Sequence, residues 1–317
     1  MSLTPLVSIC IPAYNTEKHI STALDSLFAQ SYKNIEVIVV NDGSKDKTLD
    51  ILNEYKWEKL HIIDQDNKGQ CAAANEAFKY AKGEYIKFFD ADDILSPDFI
   101  KNQVNALSNT ENTIASSAWG RFYNDDLNTF QLNNESVWRD MLPIDWLVES
   151  LGNGPNMMQC ALWLIPRKIL LTSGLWDERL SLINDFDFFI RVLLASKKIM
   201  FTKNATLYYR SGLTNSLSNQ KTRQALESAF LSTKLGVENI LKFENSERTK
   251  PICADALKHW CYIFYPQHMD LYKETNNLVN ELGGSNYAFP AGGKTKFLVN
   301  LFGWKITKRI KSYLHIQ

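Results

Sequence analysis

Short apolar runs alternate with amphipathic stretches along the first hundred residues of the chain. The segments LVSICIP (6–12), IEVIVV (35–40), LHIID (60–64) and YIKFFD (85–90) are rich in β-branched and aromatic residues. Runs of this kind belong to strands buried on both faces, as in a parallel sheet. Between them the period changes. Over 16–30, Ile20, Ala23, Leu24, Leu27 and Phe28 share one helical stripe, with Asn15 or Thr16 as the cap. Segments 47–55 and 70–81 repeat the pattern, the second stopped by Gly83. The order β-α-β-α-β-α-β predicts a parallel sheet wound by right-handed crossovers. Further on, helices are expected over 98–107, with Ser96 as cap and Pro97 in the first turn, and over 143–151, 166–173 and 185–197. Strands are expected over 114–124 and 201–210, and 221–282 reads as mostly helical.

In open α/β sheets, ligands bind outside the carboxyl ends of the strands. Here the strands end in PAYN (12–15), NDGS (41–44), DQDN (64–67) and DADD (90–93), which should share one rim. Asp42, Asp90 and Asp92 then face a common cleft.

Composition narrows the picture. A chain of 317 residues with 45% apolar content buries a full core, and 35 basic residues balance 35 acidic ones, which argues against a general nucleic-acid binder. The five cysteines are scattered, without a CxxC pair, and give no support to a disulfide framework or a zinc site. The N-terminal apolar run is short and lacks a basic lead, and no stretch approaches a spanning helix, so the expected location is cytoplasmic.

Three carboxylates at one strand end repel one another unless a cation sits among them, and Mg²⁺ or Mn²⁺ typically takes one or two carboxylates plus phosphate oxygens. A nucleoside diphosphate suits that arrangement. Asp42 could accept a uracil imide N–H while Gly43 lets the backbone approach, and Tyr14 could pack on a base or ribose. Each stretch alone is also an ordinary turn or helix start.

The stretch SICIPAYNTEKHISTALDSLFAQSYKNIEVIVVNDGSKDKT, with DNKGQCAAANEA and KFFDADD, resembles the N-terminal half of family 2 glycosyltransferases of the GT-A fold. LIPRKILLTSGLWDERLSLINDFDFFIRVLL (164–194) is similar to that family's acceptor-side segment, and LYYRSGLTNSLS (207–218) to one that closes over the donor in some members. The resemblance implies an inverting, metal-dependent transfer of a sugar from a nucleotide sugar, a UDP-sugar foremost, to a glycan or lipid-linked saccharide in cell-surface polysaccharide assembly. It implies a donor site of Pro12, Tyr14, Asn15, Asp42, Asp90, Ala91 and Asp92, with Asp92 and Asp90 on the Mg²⁺ or Mn²⁺ ion, and Asp185 as the base that deprotonates the acceptor. Two departures stand out. Asn184 replaces the first member of the family's acidic pair, leaving Asp187 as a fallback base and a catalytically silent nucleotide-sugar binding module as the alternative. Ala74 replaces a common Arg, whose charge Lys68 or Arg210 could supply. Trp176 is a further candidate for stacking on a sugar.

AGGKT (291–295) lacks the first glycine of a phosphate loop, since residue 288 is Ala, and the five histidines show no ligand spacing. The tail differs in kind. From Leu282 onward there is no acidic residue, while Lys294, Lys296, Lys305, Lys308, Arg309 and Lys311 interleave with Phe297, Leu301, Phe302, Trp304, Ile306 and Ile310. Such a segment suits either the headgroup layer of an anionic membrane, on the inner face of the plasma membrane, or a helix packed on the protein with its basic face in water. The expected division is a catalytic domain over 1–220 and a helical region over 221–317.

Overall fold

The computed structural model describes residues 4–152, 154, 156–212 and 220–313. Its first half alternates β1 (Val7–Ala13), α1 (Ile20–Phe28), β2 (Ile35–Asp42), α2 (Thr48–Glu54), β3 (Leu60–Gln65), α3 (Gln70–Tyr80) and β4 (Tyr85–Phe88). Then come β5 (Ile94–Leu95), α4 (Phe99–Leu107), β6 (Thr113–Tyr123), β7 (Asp126–Leu132), α5 (Pro143–Leu151) and β8 (Ile165–Pro166). After α6 (Arg167–Ser173), α7 (Asn184–Ala195) and β9 (Lys198–Ser211), the chain is helical: α8 (Arg223–Phe243), α9 (Thr249–Phe264), α10 (Met269–Glu281) and α11 (Gly293–Tyr313).

The main sheet has the order β3-β2-β1-β4-β8, parallel except for β8 at its edge, as the strand-helix alternation predicts. A second sheet, β5-β9-β6-β7, pairs β6 and β9 in parallel and carries the two edge strands antiparallel. Both faces of β1 and β2 are buried, which is why these runs lack polar alternation. One hydrophobic cluster runs from these strands through Phe188 and Phe189 of α7 to Phe230 of α8 and Phe264 of α9. The expected boundary near 220 is therefore crossed by packing: Gly236 of α8 lies against Phe186 and Ile190, where a Cβ would come within 2.7 Å of the Phe186 ring.

Three element boundaries differ from the sequence expectation. The first helix begins at Ile20 rather than Thr16, because the amides of Asn15, Thr16 and Glu17 donate sideways to Ser44 Oγ (3.0 Å), Thr48 Oγ1 (2.8 Å) and Asp46 Oδ2 (3.0 Å). Those donors are satisfied across two loops instead of by a cap. Ser96 is not the cap of α4, whose N-cap is Asp98; its hydroxyl accepts from Thr206 N at 3.1 Å and ties the helix entry to β9. Finally, α3 ends at Tyr80, and Gly83 serves a close approach: its N–H donates to Ser8 Oγ at 2.7 Å, and a Cβ there would sit 2.7 Å from Leu6 O.

Overpacking of this kind costs about 1–3 kcal/mol. Gly83→Ala is expected to lower the unfolding free energy by that amount, seen as a lower urea midpoint with an unchanged m-value in equilibrium denaturation.

Candidate active site

Parallel pairing of β1 with β2 and β4 brings their carboxyl ends to one rim, with Ala13 beside Asn41 and Cys10 beside Phe88. Pro12, half-buried, is the penultimate residue of β1, and Tyr14, just past its end, is 48% exposed. Asn15 follows in the left-handed region (φ 52°), its Oδ1 accepting from Lys45 N at 2.7 Å. Glu17 Oε2 accepts from Lys47 N at 3.0 Å, so the loops after β1 and β2 are cross-laced in both directions.

Asp42 is only 2% exposed. Its Oδ1 accepts from Gln65 Nε2 (2.7 Å) and Lys68 N (2.8 Å), and its Oδ2 from Gly69 N (2.8 Å). The carboxylate pins the entry to α3 and keeps one lone-pair direction on Oδ2 for anything else. Gly43 (φ 70°) has no room for a side chain, since a Cβ would lie 2.8 Å from Asn67 N.

At the end of β4 the chain turns sharply, with Asp93 N donating to Asp90 O at 3.3 Å. Ala91 and Asp93 are buried, and Asp90 and Asp92 are half-exposed. Arg210 of β9 holds this turn from below: its N–H donates to Asp93 Oδ1 (3.0 Å), its Nε to Asp92 O (2.7 Å), and its guanidinium pairs with Asp125 and lies 4.7 Å over Phe122. Arg210 is thus occupied within the protein rather than free to replace the arginine absent at Ala74. Burial pushes the Asp92 carboxyl up to about 6, with the Asp90 charge adding to it. Burial also raises Asp90, helped by the charge of Asp185, and Asp93 well above its ordinary value. Asp93 Oδ2 is buried with no partner among the described residues.

Asp185 stands in the first turn of α7. Burial raises it to about 6, opposed by the N–H groups of Phe186, Asp185 itself and Met158. The entry to this helix is forced: Ile183 adopts φ 50°, rare for a β-branched residue, and Ser232 of α8 donates to its carbonyl at 2.7 Å. Asn184, the departure from the family's acidic pair, donates through Nδ2 to Gln70 Oε1 (3.0 Å), and Gln70 Nε2 donates to Asp90 Oδ1 (3.2 Å). The two amides form a relay from the helix that bears Asp185 to the acidic turn. An ionised Asp90 accepts only, so Gln70 must present its N to it and its O to residue 184, which must then be a donor.

The other candidates lie elsewhere in role. Asp187 is buried and bound by Arg191 Nη2 (2.8 Å) and Nε (3.0 Å), a structural ion pair and not a spare base. Trp176 is buried, stacked on Phe188 with ring centroids 3.8 Å apart, and belongs to the core rather than to a sugar platform. Residues 213–218 of the predicted donor-closing segment lie outside the described residues. Sequence reasoning missed Gln70, whose position opening a helix at the rim was the available signal. It also missed His19, which no spacing marks. His19 sits 3.7 Å from Asp125 and, with Lys18, Thr22, Phe122 and Arg210, lines a hollow of about 220 Å³ beside the turn. A larger hollow of about 470 Å³, near Arg139, Asp145 and Arg248, contains none of the strand-end carboxylates.

A mostly parallel sheet with an acidic turn at its rim is the architecture of the GT-A fold. Comparison with known proteins agrees: residues 8–171 match glycosyl transferase family 2, and the chain belongs to that family. An uncharacterized glycosyltransferase of Rickettsia typhi is 34% identical over 252 residues, covering 77% of this chain and 76% of that one. Among solved structures, S. aureus TarS (residues 1–349) in complex with UDP superposes with a TM-score of 0.67 at 19% identity, over 87% of this chain and 83% of the other. The mannosyltransferase PcManGT from Pyrobaculum calidifontis, in complex with GDP-Man and Mn2+, gives 0.55 at 16% identity, over 100% and 89%.

Asn184→Asp sets an acceptor against Gln70 Oε1, and a buried acceptor left unpaired costs about 1–3 kcal/mol. The variant is expected to lose that much stability at pH 7.5 and regain most of it near pH 5, where the new acid is protonated and donates. Urea denaturation at the two pH values measures it.

Proposed function

We propose that the chain transfers a sugar, with inversion, from a UDP-sugar to a glycan or lipid-linked saccharide in cell-surface polysaccharide assembly. The observation that carries the reading is the hydrogen-bonded link from Asn184 through Gln70 to Asp90, which ties the first turn of α7, where Asp185 stands, to the acidic turn after β4. TarS with UDP and PcManGT with GDP-Man and Mn2+ support the donor class by fold.

In this reading Tyr14 packs on the nucleoside, Pro12 and Asn15 shape its loop, and the remaining lone pair of Asp42 meets the base. The acidic turn fits a divalent cation. Asp90 and Asp92 crowd one another, and among the described residues no group of three His, Cys, Asp or Glu side chains forms a ready-made cage. Two carboxylates completed by diphosphate oxygens is the usual Mg²⁺ or Mn²⁺ pattern. Asp92 and Asp90 would hold such an ion, whose chemistry there would be charge neutralisation of the departing diphosphate. Ala91 keeps the turn between them compact. Asp185 takes the proton of the acceptor hydroxyl as that oxygen forms its bond to the anomeric carbon. Its raised pKa makes it a stronger base than an exposed aspartate, yet leaves it ionised at pH 7.

General-base catalysis contributes about 10²–10⁴-fold, so Asp185→Asn should lose donor turnover by that factor while keeping UDP affinity. Asp92→Ala should lose metal-dependent UDP affinity in calorimetry. Donor affinity without turnover in the wild type would instead identify a silent binding module. Because Asp185 must be ionised, the wild-type rate should be full above pH 7 and fall through about pH 6, tenfold per unit below it.

The proposal extends to location: a cytoplasmic enzyme touching the inner face of an anionic membrane through 294–311. Among the described residues no helix is long and apolar enough to cross a membrane. Helix α11 breaks at Gly303 (φ 75°), after which Trp304 packs among Tyr262, Tyr265 and Phe289 and Thr307 is buried. Phe297 (65% exposed), Leu301, Phe302, Ile306 and Ile310 face outward among the lysines. Full-length protein should float with vesicles containing phosphatidylglycerol but not with phosphatidylcholine alone. Phe297→Asp with Ile306→Asp should abolish flotation, and raised salt should weaken it.

A further inference from the structure

With Arg210 committed to the acidic turn, a second cation lies on the neighbouring strand, close to the same Tyr209 that the turn's carboxylates act on. Arg121 of β6 lies opposite Tyr209 of β9 in the parallel register. Its guanidinium is 5.3 Å from the Trp119 ring centroid and 5.2 Å from that of Tyr209, a setting that fixes its plane. Among the described residues two of its donors are used: Nη1 meets Ser211 Oγ at 2.8 Å and Nη2 meets Met157 Sδ at 2.6 Å. Neither partner carries charge.

Of the other buried or half-buried arginines among the described residues, Arg191 holds Asp187 and Arg210 holds Asp125, while Arg167, also without a carboxylate, spends two donors on the carbonyls of Gly83 and Ala81, away from the acidic turn. Among the described residues Arg121 has no carboxylate partner, although it is half-buried, and a guanidinium carries five donors suited to bidentate oxyanion recognition. Its three neighbours each lead to the site. Ser211 follows Arg210, which holds the main chain of Asp92; Met157 precedes Met158, whose N–H faces Asp185; and Tyr209 feels the charges of Asp90, Asp92 and Asp93.

We propose that Arg121 is an anion-binding residue of the cleft, taking a phosphate or diphosphate group on its unused N–H donors. The inference rests on the sugar-transfer reading for its context, not for its test. Two sources share this chemistry, the diphosphate of the donor and a phosphate carried by the acceptor.

Calorimetry on the full chain, with and without Mg²⁺, separates them, using UDP, uridine and inorganic pyrophosphate as probes against wild type, Arg121→Gln and Arg121→Lys. Thermal unfolding confirms that each variant is folded, and Lys keeps the charge and most of the stem. A donor source is expected to lower UDP affinity about tenfold or more in Arg121→Gln, with partial recovery in Arg121→Lys and uridine unaffected. An acceptor source leaves UDP affinity unchanged and removes pyrophosphate binding to the UDP-saturated protein. If wild type binds pyrophosphate through Arg121 but no nucleotide, the sugar-transfer reading fails and this one stands. Equal binding of UDP and pyrophosphate by wild type and folded Arg121→Gln, or no binding of either by wild type, overturns it.

Discussion

Negative charge confined at the end of β4 is the constraint around which this protein is arranged. Asp90, Asp92 and Asp93 occupy one tight turn, with Asp93 fully buried and the other two half-exposed. Among the described residues one arginine, Arg210, reaches the turn: its guanidinium contacts the Asp92 carbonyl and Asp125, and only its backbone N–H reaches the Asp93 carboxylate. Low-dielectric surroundings magnify what remains uncompensated, which is why burial heads the causes raising all three carboxyls. Groups left in that condition are poised for a cation or a proton.

The same constraint explains the architecture nearby. The second sheet exists to present β9 to the turn: β5, two residues long, pairs Ile94 with Tyr208 and Leu95 with Leu207, directly after the acidic residues. Helix α7 approaches from the opposite side, and its connection to the turn runs through the side-chain amides of Asn184 and Gln70. Beneath them Lys87, fully buried with its pKa lowered to about 7 by burial, donates to the carbonyls of Ala161 and Trp163. That lysine fastens the segment leading into β8 to the strand that carries the aspartates.

Much of this was legible in the chain. Unbroken β-branched runs give the parallel strands, and their polar endings give the rim, because direction alone decides where strand ends meet. Individual commitments of side chains were not legible. Asp42 looks like a free ligand group until three donors are found on it, and Asp187 looks like a base until Arg191 is found one turn on. Asn184 reads as a loss until its partner, 114 residues away, shows that a donor is required there. Helix starts erred for a related reason: a cap residue predicted from local sequence was displaced by acceptors on a neighbouring loop.

The lacing of the loops after β1 and β2 has a dynamic consequence. Amides of Asn15, Thr16 and Glu17 bond toward residues 44–48, while amides of Lys45 and Lys47 bond back. Neither loop can peel away without stripping the other of its partners, so the pair opens as one cooperative unit on the hydrogen-exchange timescale. In the donor-binding role proposed for Tyr14, a ligand would meet a wall already ordered, and little conformational entropy would be lost in receiving it.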